Sequence, residues 1–227
     1  MDASFYISKQ KICVNLCKSV ANEKLERSRG MMENRIGEIE RKTGETEVLL
    51  QIELDGNGVC QIDTEIPFLS HMLTLLSVHS LCNLKVVARG DLKVDDHHST
   101  EDIGISLGEA IKLALGDKKG IKRYGEATIP MDEALARVVV DLSGRPFLVY
   151  NAEIGREQIG NLATENIKEF FQAVANYAGM NIHIDLIRGD NSHHCIEAIF
   201  KAFARALKIA VEYEPRVEGI WSSKGNL

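Results

Sequence analysis

The sequence predicts a mixed α/β (α+β) fold made of two duplicated β-α-β-α half-domains, with sheets packed on helices. Three observations predict it. Short segments alternate apolar and polar residues as strands do, longer segments place apolar residues three or four apart as helices do, and the same order of elements occurs twice. The 227 residues are enough for one large domain or two small ones.

The first half opens with a strand over residues 46–54, in which every second residue from Val48 is apolar. The turn-forming residues 55–58 then predict that this strand enters a hairpin. A helix over 66–79, a strand over 84–88 and a helix over 99–115 complete the half. The predicted core face of the second helix is Ile103, Leu107, Ala110, Ile111 and Ala114.

The second half repeats this order, with a strand over 137–142, a helix near 165–178, a strand over 182–187 and a final helix. The core face of that last helix is predicted to be Ile196, Ile199, Phe200, Phe203 and Leu207. In both halves an Arg-Gly-Asp sequence, starting at Arg89 and at Arg188, leads into a His-His pair. The two repeats are expected to span about 36–120 and 121–220.

Composition excludes several classes of protein. A net charge of -6 argues against a protein that binds nucleic acid. No apolar stretch approaches the ~20 residues that cross a bilayer. The five cysteines are odd in number and scattered, which indicates reduced thiols and a cytoplasmic or equivalent reducing compartment.

Residues 1–35 differ from the rest of the chain. They hold seven Lys or Arg against four acidic residues, a net charge of +3, so the remainder carries -9. The pair Met31-Met32 lies just before this change. We interpret residues 1–35 as an N-terminal extension, possible tag or disordered segment, and residues 36–227 as the functional domain with a C-terminal tail.

Two His-His-x-x-Glu motifs contain most of the candidate metal ligands. Each is expected at a helix start, where all three side chains project from the first turn. The two imidazoles of a motif are about 100° apart around the helix axis, so each motif could serve two ions. Aligning the repeats at an offset of 98 sets His71 opposite Glu169. The candidate metal ligands are therefore His71, His97, His98, Glu101, Glu169, His193, His194 and Glu197.

Imidazole and carboxylate ligands without cysteine suit Mn, Fe, Co or Zn, and we favour Mn(II). Three or four protein ligands per ion leave room for a substrate, as in catalytic sites. A single surface His-His pair is usually only polar, but two copies at equivalent positions favour metal binding. The spacing leaves open a dinuclear metallohydrolase and a non-catalytic metal-binding assembly protein. His183 is interpreted as a solvated strand residue, and His79 as bordering the site or capping its helix.

These residues resemble the imidazoleglycerol-phosphate dehydratase family over roughly residues 35–227. The segments that carry the resemblance are Asp95-Asp96-His97-His98-Ser99-Thr100-Glu101-Asp102, Asn191-Ser192-His193-His194, Phe200-Lys201-Ala202-Phe203-Ala204-Arg205-Ala206-Leu207 and Ser222-Ser223-Lys224-Gly225. The resemblance implies a ribosomal-protein-S5-domain-2-like fold, a cytoplasmic homo-oligomer of 24 subunits, and two Mn(II) ions per active site at subunit interfaces.

The reaction that the resemblance implies is dehydration of D-erythro-imidazoleglycerol phosphate to imidazole acetol phosphate, in L-histidine biosynthesis. The hydrogen to be removed has no neighbouring carbonyl, so the reaction needs an electron sink. In the family, two Mn(II) ions bind the substrate imidazole. Held as imidazolate, the ring would expel the neighbouring hydroxyl through a diazafulvene-like intermediate.

The resemblance also assigns residues. It implies that Glu45 is the catalytic acid/base, and that the phosphate is bound by Arg123, Arg145, Ser222 and Lys224. It places the substrate against His71, His79, His97, His98 and Glu101 as well. This sequence departs from the family at Glu169, where some relatives have His, and at Ser70, where many have Asp.

Overall fold

The computed structural model describes residues 34–225. Within that range, residues 35–225 belong to one compact unit. The predicted N-terminal extension, residues 1–35, lies almost wholly outside the described residues, and so do Cys13 and Cys17. The other three cysteines are free thiols, which agrees with the expected reduced state. Among residues 34–225, no helix has the length and apolar character needed to cross a membrane.

The first half of the chain forms a four-stranded sheet with two helices. Its elements are β1 (Ile36–Lys42), β2 (Thr46–Glu53), β3 (Cys60–Asp63), α1 (Pro67–Ser80), β4 (Asn83–Gly90) and α2 (His97–Leu115). The strand order is β1-β2-β4-β3, in which β3 runs parallel to β4 and the other neighbours are antiparallel.

The second half repeats this arrangement. Its elements are β5 (Tyr124–Met131), β6 (Ala134–Asp141), β7 (Phe147–Asn151), the small pair β8 (Gln158–Ile159) and β9 (Leu162–Ala163), α3 (Asn166–Ala178), β10 (Asn181–Arg188) and α4 (Ser192–Val211). The order β5-β6-β10-β7, with β7 parallel to β10, matches the first sheet. The duplicated α/β fold is therefore confirmed, with two further strands in each four-stranded sheet and the additional small pair β8–β9 in the second half.

The prediction that the strand ending at residue 54 enters a hairpin was wrong. The chain leaves the turn at residues 55–58 and enters β3, which pairs with β4 and never with β2. The side chain of Asn83, at the start of β4, accepts hydrogen bonds from the backbone of Asn57 and Val59 and so holds this crossing. The hairpin partner of β2 is β1, on its other edge. β1 carries no clear strand pattern in the sequence, because it is an edge strand with mostly charged, exposed residues.

Helix α2 begins two residues earlier than predicted. The side chain of Asp95 accepts a hydrogen bond from the backbone N–H of His97, which satisfies one of the free donors at a helix start. In α4 the side chain of Asn191 accepts from the N–H of His193 in the same way. Both His-His pairs therefore lie in the first turn of a capped helix.

The helices pair across the two halves. Helix α1 packs against α4, and α2 packs against α3. The second contact is close because α2 presents Gly104 and Gly108, where a Cβ would lie 2.7 Å from the carbonyl oxygen of Phe170 and 2.9 Å from the backbone nitrogen of Ala178. This pairing brings functional side chains of opposite halves together.

Two glycines let a strand approach a helix backbone at equivalent places. A Cβ at Gly125 of β5 would overlap the carbonyl oxygen of Ala206, as one at Gly37 of β1 would overlap that of Ala110. We expect Gly125→Ala to lower the free energy of unfolding by about 1–3 kcal/mol, because the backbone must shift to admit the methyl group. Denaturant unfolding measures this change. Gly219→Ala, where the added methyl meets nothing within 4 Å, is the control; equal midpoints for the two variants would contradict the expectation.

Candidate active site

One cluster of potential metal ligands joins the two halves. Oε2 of Glu197, on α4, lies 3.5 Å from Nε2 of His71 on α1 and 3.2 Å from Nε2 of His193 on α4. The ring of Phe68 packs edge-on against His193, at a centroid distance of 5.0 Å. The pairing of α1 with α4 therefore gathers three of the eight predicted ligands, from residues far apart in the sequence.

The spacing of these three atoms fits a bound transition metal. Ligand atoms about 2.0–2.2 Å from an ion, at angles between 90° and 109°, are separated by roughly 3.0–3.5 Å. The two measured separations from Glu197 fall at 3.2 and 3.5 Å. Two imidazoles and a carboxylate are also the ligand types that Mn, Fe, Co and Zn accept.

Two opposing effects act on the pKa of the Glu197 carboxyl group. The Glu197 side chain is only 9% exposed, and burial raises the pKa of a carboxyl group. Lys201, whose Nζ lies 2.5 Å from Oε1, and His71 together outweigh burial, so the pKa of Glu197 is lowered. The carboxylate therefore keeps one oxygen on Lys201 and presents the other to the two imidazoles.

The motif of the first half forms a second, more open group. Nε2 of His97 lies 3.9 Å from Oε2 of Glu101, and its Nδ1 lies 3.0 Å from Oδ1 of Asn166 on α3. Asn166 is held in turn by Oδ2 of Asp96, which accepts from its Nδ2 at 2.9 Å. Glu169 follows Asn166 by one helical turn. In the part of the chain that the structure describes, Glu169 joins no cluster of three potential ligand atoms.

The second histidine of each motif faces a different carboxylate. Nδ1 of His98 lies 3.2 Å from both oxygens of Asp91 and 3.7 Å from Oε2 of Glu45. The hydrogen bond to Asp91 raises the pKa of His98. The divergence of the two imidazoles within each motif follows their ~100° separation on the helix.

Nδ1 of His194 lies 2.8 Å from Oε2 of Glu133. This hydrogen bond raises the pKa of His194. The contact with His194, together with a backbone hydrogen bond from Asn191, lowers the pKa of Glu133 to about 2. A carboxylate thus holds the Nδ1 side of this histidine, as Asp91 does for His98.

Two predicted phosphate ligands, Ser222 and Lys224, lie in the C-terminal tail, and a third, Arg123, contacts it. Arg123 is buried, forms a two-point ion pair with Asp141 through Nε and Nη2 (2.7 and 3.1 Å), and donates Nη1 to the carbonyl oxygen of Trp221 at 2.9 Å. The hydrogen bond to Asp141 raises the pKa of Arg123. Arg123 therefore ties the tail to β6, directly beside Ser222.

The remaining predicted contacts are more exposed. Arg145 lies in the exposed loop before β7. In the tail, Oγ of Ser222 accepts a hydrogen bond from the backbone of Lys224 at 3.2 Å, which closes a tight turn. His79 is half-buried in the last turn of α1; burial lowers its pKa, and the positive charges of Lys201 and Arg205 lower it further. His183 is exposed on β10, as predicted.

The side chain of Ser70 lies 2.6 Å from Oγ1 of Thr64, so it does not serve His71. Four of the polar residues that contact the predicted ligands were not among the sequence-based candidates: Asp91, Glu133, Asn166 and Lys201. Only two of these four residues could have been found from a pattern in the sequence. Asp91 belongs to the repeated Arg-Gly-Asp sequence, and Lys201 lies four residues after Glu197, on the same helix face.

The fold and the site together define the class of the protein. It is a duplicated α/β protein whose halves place matching histidine and carboxylate groups, the ligand types that transition metals accept, in the first turns of two helices. A family model described as imidazoleglycerol-phosphate dehydratase matches residues 64–207.

Individual relatives agree with this match. An imidazoleglycerol-phosphate dehydratase from Syntrophomonas wolfei is 75% identical over 194 residues, which cover 86% of this chain and 98% of the relative. One from Geobacter metallireducens is 56% identical, covering 83% of this chain and 97% of the relative. The chain therefore belongs to the imidazoleglycerol-phosphate dehydratase family, and its enzyme class is that of a carbon-oxygen lyase of histidine biosynthesis.

Solved structures support the fold. The crystal structure of imidazoleglycerol-phosphate dehydratase from Staphylococcus aureus superposes with a TM-score of 0.72 at 49% identity, covering 79% of this chain and 99% of that one. The Pyrococcus furiosus protein, crystallised in complex with (S)-C348, gives a TM-score of 0.73 at 35% identity, covering 83% and 100%.

Proposed function

We propose that this chain converts D-erythro-imidazoleglycerol phosphate to imidazole acetol phosphate in the cytoplasm, with two Mn(II) ions per active site. The observation that carries the proposal is the convergence of His71, His193 and Glu197 at ligand spacing. Family membership supports the substrate, since the relatives carry that name.

We further propose that the complete site forms between subunits of a homo-oligomer of 24 chains. A single chain gathers only three of the eight predicted ligands into one cluster among its described residues. His98 and His194 use Nδ1 for carboxylates of their own chain, so Nε2 is the nitrogen left for an ion. A second copy of the chain that supplies such a nitrogen would complete each cluster.

The chemistry calls for a positive centre at the substrate ring and for groups that move protons. Bound to the ring nitrogens, Mn(II) would stabilise the imidazolate form and so supply the electron sink. Glu45 would move the protons. Its carboxylate is exposed, lies 3.7 Å from His98, and is therefore next to a predicted ligand.

The chain's cations would hold the substrate phosphate. Arg145 and Lys224 are exposed and Ser222 is half-exposed, and the Arg123 guanidinium holds the tail that carries Ser222 and Lys224 through its hydrogen bond to Trp221. A guanidinium fork and an ammonium group suit phosphate oxygens. Deleting residues 220–227 is expected to raise KM sharply and to spare the metal content, as measured by steady-state kinetics and metal analysis. An unchanged KM would refute the role of the tail.

One incubation separates this proposal from its two rivals. The Mn-loaded protein is mixed with imidazoleglycerol phosphate, and both imidazole acetol phosphate and free phosphate are measured. The dehydration product supports the proposal, and released phosphate would instead indicate a dinuclear metallohydrolase. No turnover in a protein that binds Mn(II) would favour a metal-binding assembly protein.

Removing the metal is expected to abolish turnover and to reduce the size of the particle. If ions at subunit interfaces hold the site together, chelation should lower the activity more than about tenfold and shift the mass in solution toward smaller units. Activity assays and sedimentation, before and after re-addition of Mn(II), measure both effects. Full activity in metal-free protein would contradict the proposed cofactor.

A further inference from the structure

The duplicated fold places a hairpin tip beside the second histidine of each motif. In the first half, residues 43–45 join β1 to β2, and Glu45 of this tip lies 3.7 Å from His98. In the second half, residues 132–133 join β5 to β6, and Glu133 of this tip lies 2.8 Å from His194. Each half therefore offers a hairpin carboxylate to an equivalent histidine.

The two carboxylates differ in their hydrogen bonding. Glu133 uses both oxygens, since Oε2 meets Nδ1 of His194 and Oε1 accepts from the backbone N–H of Asn191 at 2.8 Å. Asn191 caps α4, so Glu133 is anchored to the helix start that carries the histidine. The Glu45 side chain forms no hydrogen bond to another described residue and is 56% exposed.

The aspartates of the repeated Arg-Gly-Asp sequence explain this difference. Asp91 binds Nδ1 of His98 with both oxygens at 3.2 Å. Asp190, at the equivalent place in the second half, is exposed and has no side-chain hydrogen bond or ion pair to any residue of the described range 34–225. One half thus orients its histidine with the aspartate, and the other with the hairpin glutamate.

We infer that Glu133 is a positioning residue for His194, as Asp91 is for His98, and that this exchange of roles leaves the Glu45 side chain free for proton transfer. A neutral imidazole that donates Nδ1–H to a carboxylate keeps its Nε2 lone pair available to an ion, in a fixed ring orientation. The inference rests on the proposed Mn(II) ligation and adds which residues orient the ligands.

The test compares Glu133→Ala and Glu133→Gln with Asp190→Asn, using competition against a chelator to measure Mn(II) affinity. We expect Glu133→Ala to weaken Mn(II) binding by roughly 10- to 100-fold. Glu133→Gln should have a smaller effect, because one amide oxygen can still accept from Nδ1. Asp190→Asn should leave the affinity unchanged within about twofold.

Two further measurements separate positioning from other roles. Nitrogen-15 NMR of labelled histidine should show His194 as the Nδ1–H tautomer in the metal-free protein, and a mixture of tautomers in Glu133→Ala. Excess Mn(II) should restore turnover in Glu133→Ala but not in Glu45→Gln, because only Glu45 is placed to act on the substrate. Unfolding curves check that Glu133→Gln is folded.

Several results would overturn the inference. Wild-type Mn(II) affinity in Glu133→Ala would do so, as would an equal loss of affinity in Asp190→Asn. A folded Glu133→Gln variant whose turnover stays low in excess Mn(II) would also overturn the inference, because a positioning residue acts only through the ligand. If the unaltered protein binds no Mn(II), the proposed function fails and takes this inference with it, whereas a failure confined to the variants leaves the function standing.

Discussion

Glu197→Gln is expected to reduce kcat/KM by at least about 1,000-fold, which corresponds to ~4 kcal/mol of transition-state stabilisation. Glu197 is the residue that joins the cluster, since one oxygen faces His71 and His193 and the other pairs with Lys201. The neutral amide carries no charge and has only one oxygen, so the ion site and the half-buried Lys201 both lose the negative charge, and one of them also loses its oxygen partner.

Metal analysis should show the cause of this loss. We expect Glu197→Gln to bind less Mn(II) per chain than the unaltered protein. Glu126→Gln, on an exposed position of β5, removes the same charge away from the cluster and serves as the control. Equal Mn(II) content and turnover in the two variants would refute the assignment of Glu197 as a ligand.

Glu45→Gln is expected to lower kcat by about 100- to 10,000-fold while the Mn(II) content stays at the level of the unaltered protein. A glutamine cannot exchange a proton with the substrate, yet it has nearly the same shape, so the hairpin and the ligands should be undisturbed. Steady-state kinetics and metal analysis on the same preparation measure the two quantities.

Glu47→Gln, on the same hairpin, is the matched control for Glu45. Glu47 is exposed and pairs with Lys42 at 3.0 Å, outside the site. Its loss should leave kcat within about twofold. If Glu45→Gln kept turnover within about tenfold of the unaltered protein, a cost of only ~1.4 kcal/mol, Glu45 would not be the acid/base group.

Local patterns in the sequence were enough to predict the repeated α/β fold. The alternation in β2 and the helical spacing in α2 depend on neighbouring residues alone, so the predicted bounds of these elements lie within about two residues of those observed. The His-His-x-x-Glu motifs could be assigned to helix starts for the same reason. The predicted core face of α2 is buried throughout.

The edge strands β1 and β3 could not be predicted from local sequence patterns. β1 has few apolar residues, because only part of one face is covered, and β3 is only four residues long. The turn at residues 55–58 has the composition of a hairpin turn, but the strand after it pairs with β4. Which strand occupies the neighbouring edge depends on the whole sheet and not on the turn.

The sequence by itself determined the duplicated elements, the types of the metal-ligand candidates and their place in the first helical turns. Only the tertiary structure decided that His71 meets Glu197 of the other half, and that His194 is held by Glu133 while His98 is held by Asp91. The reason is physical: periodicity records which face of an element is apolar, whereas the partner of a polar side chain depends on which faces finally pack together. Here the packing of α1 on α4 brings His71 to Glu197, and the packing of α4 on β5 and β6 brings His194 to Glu133.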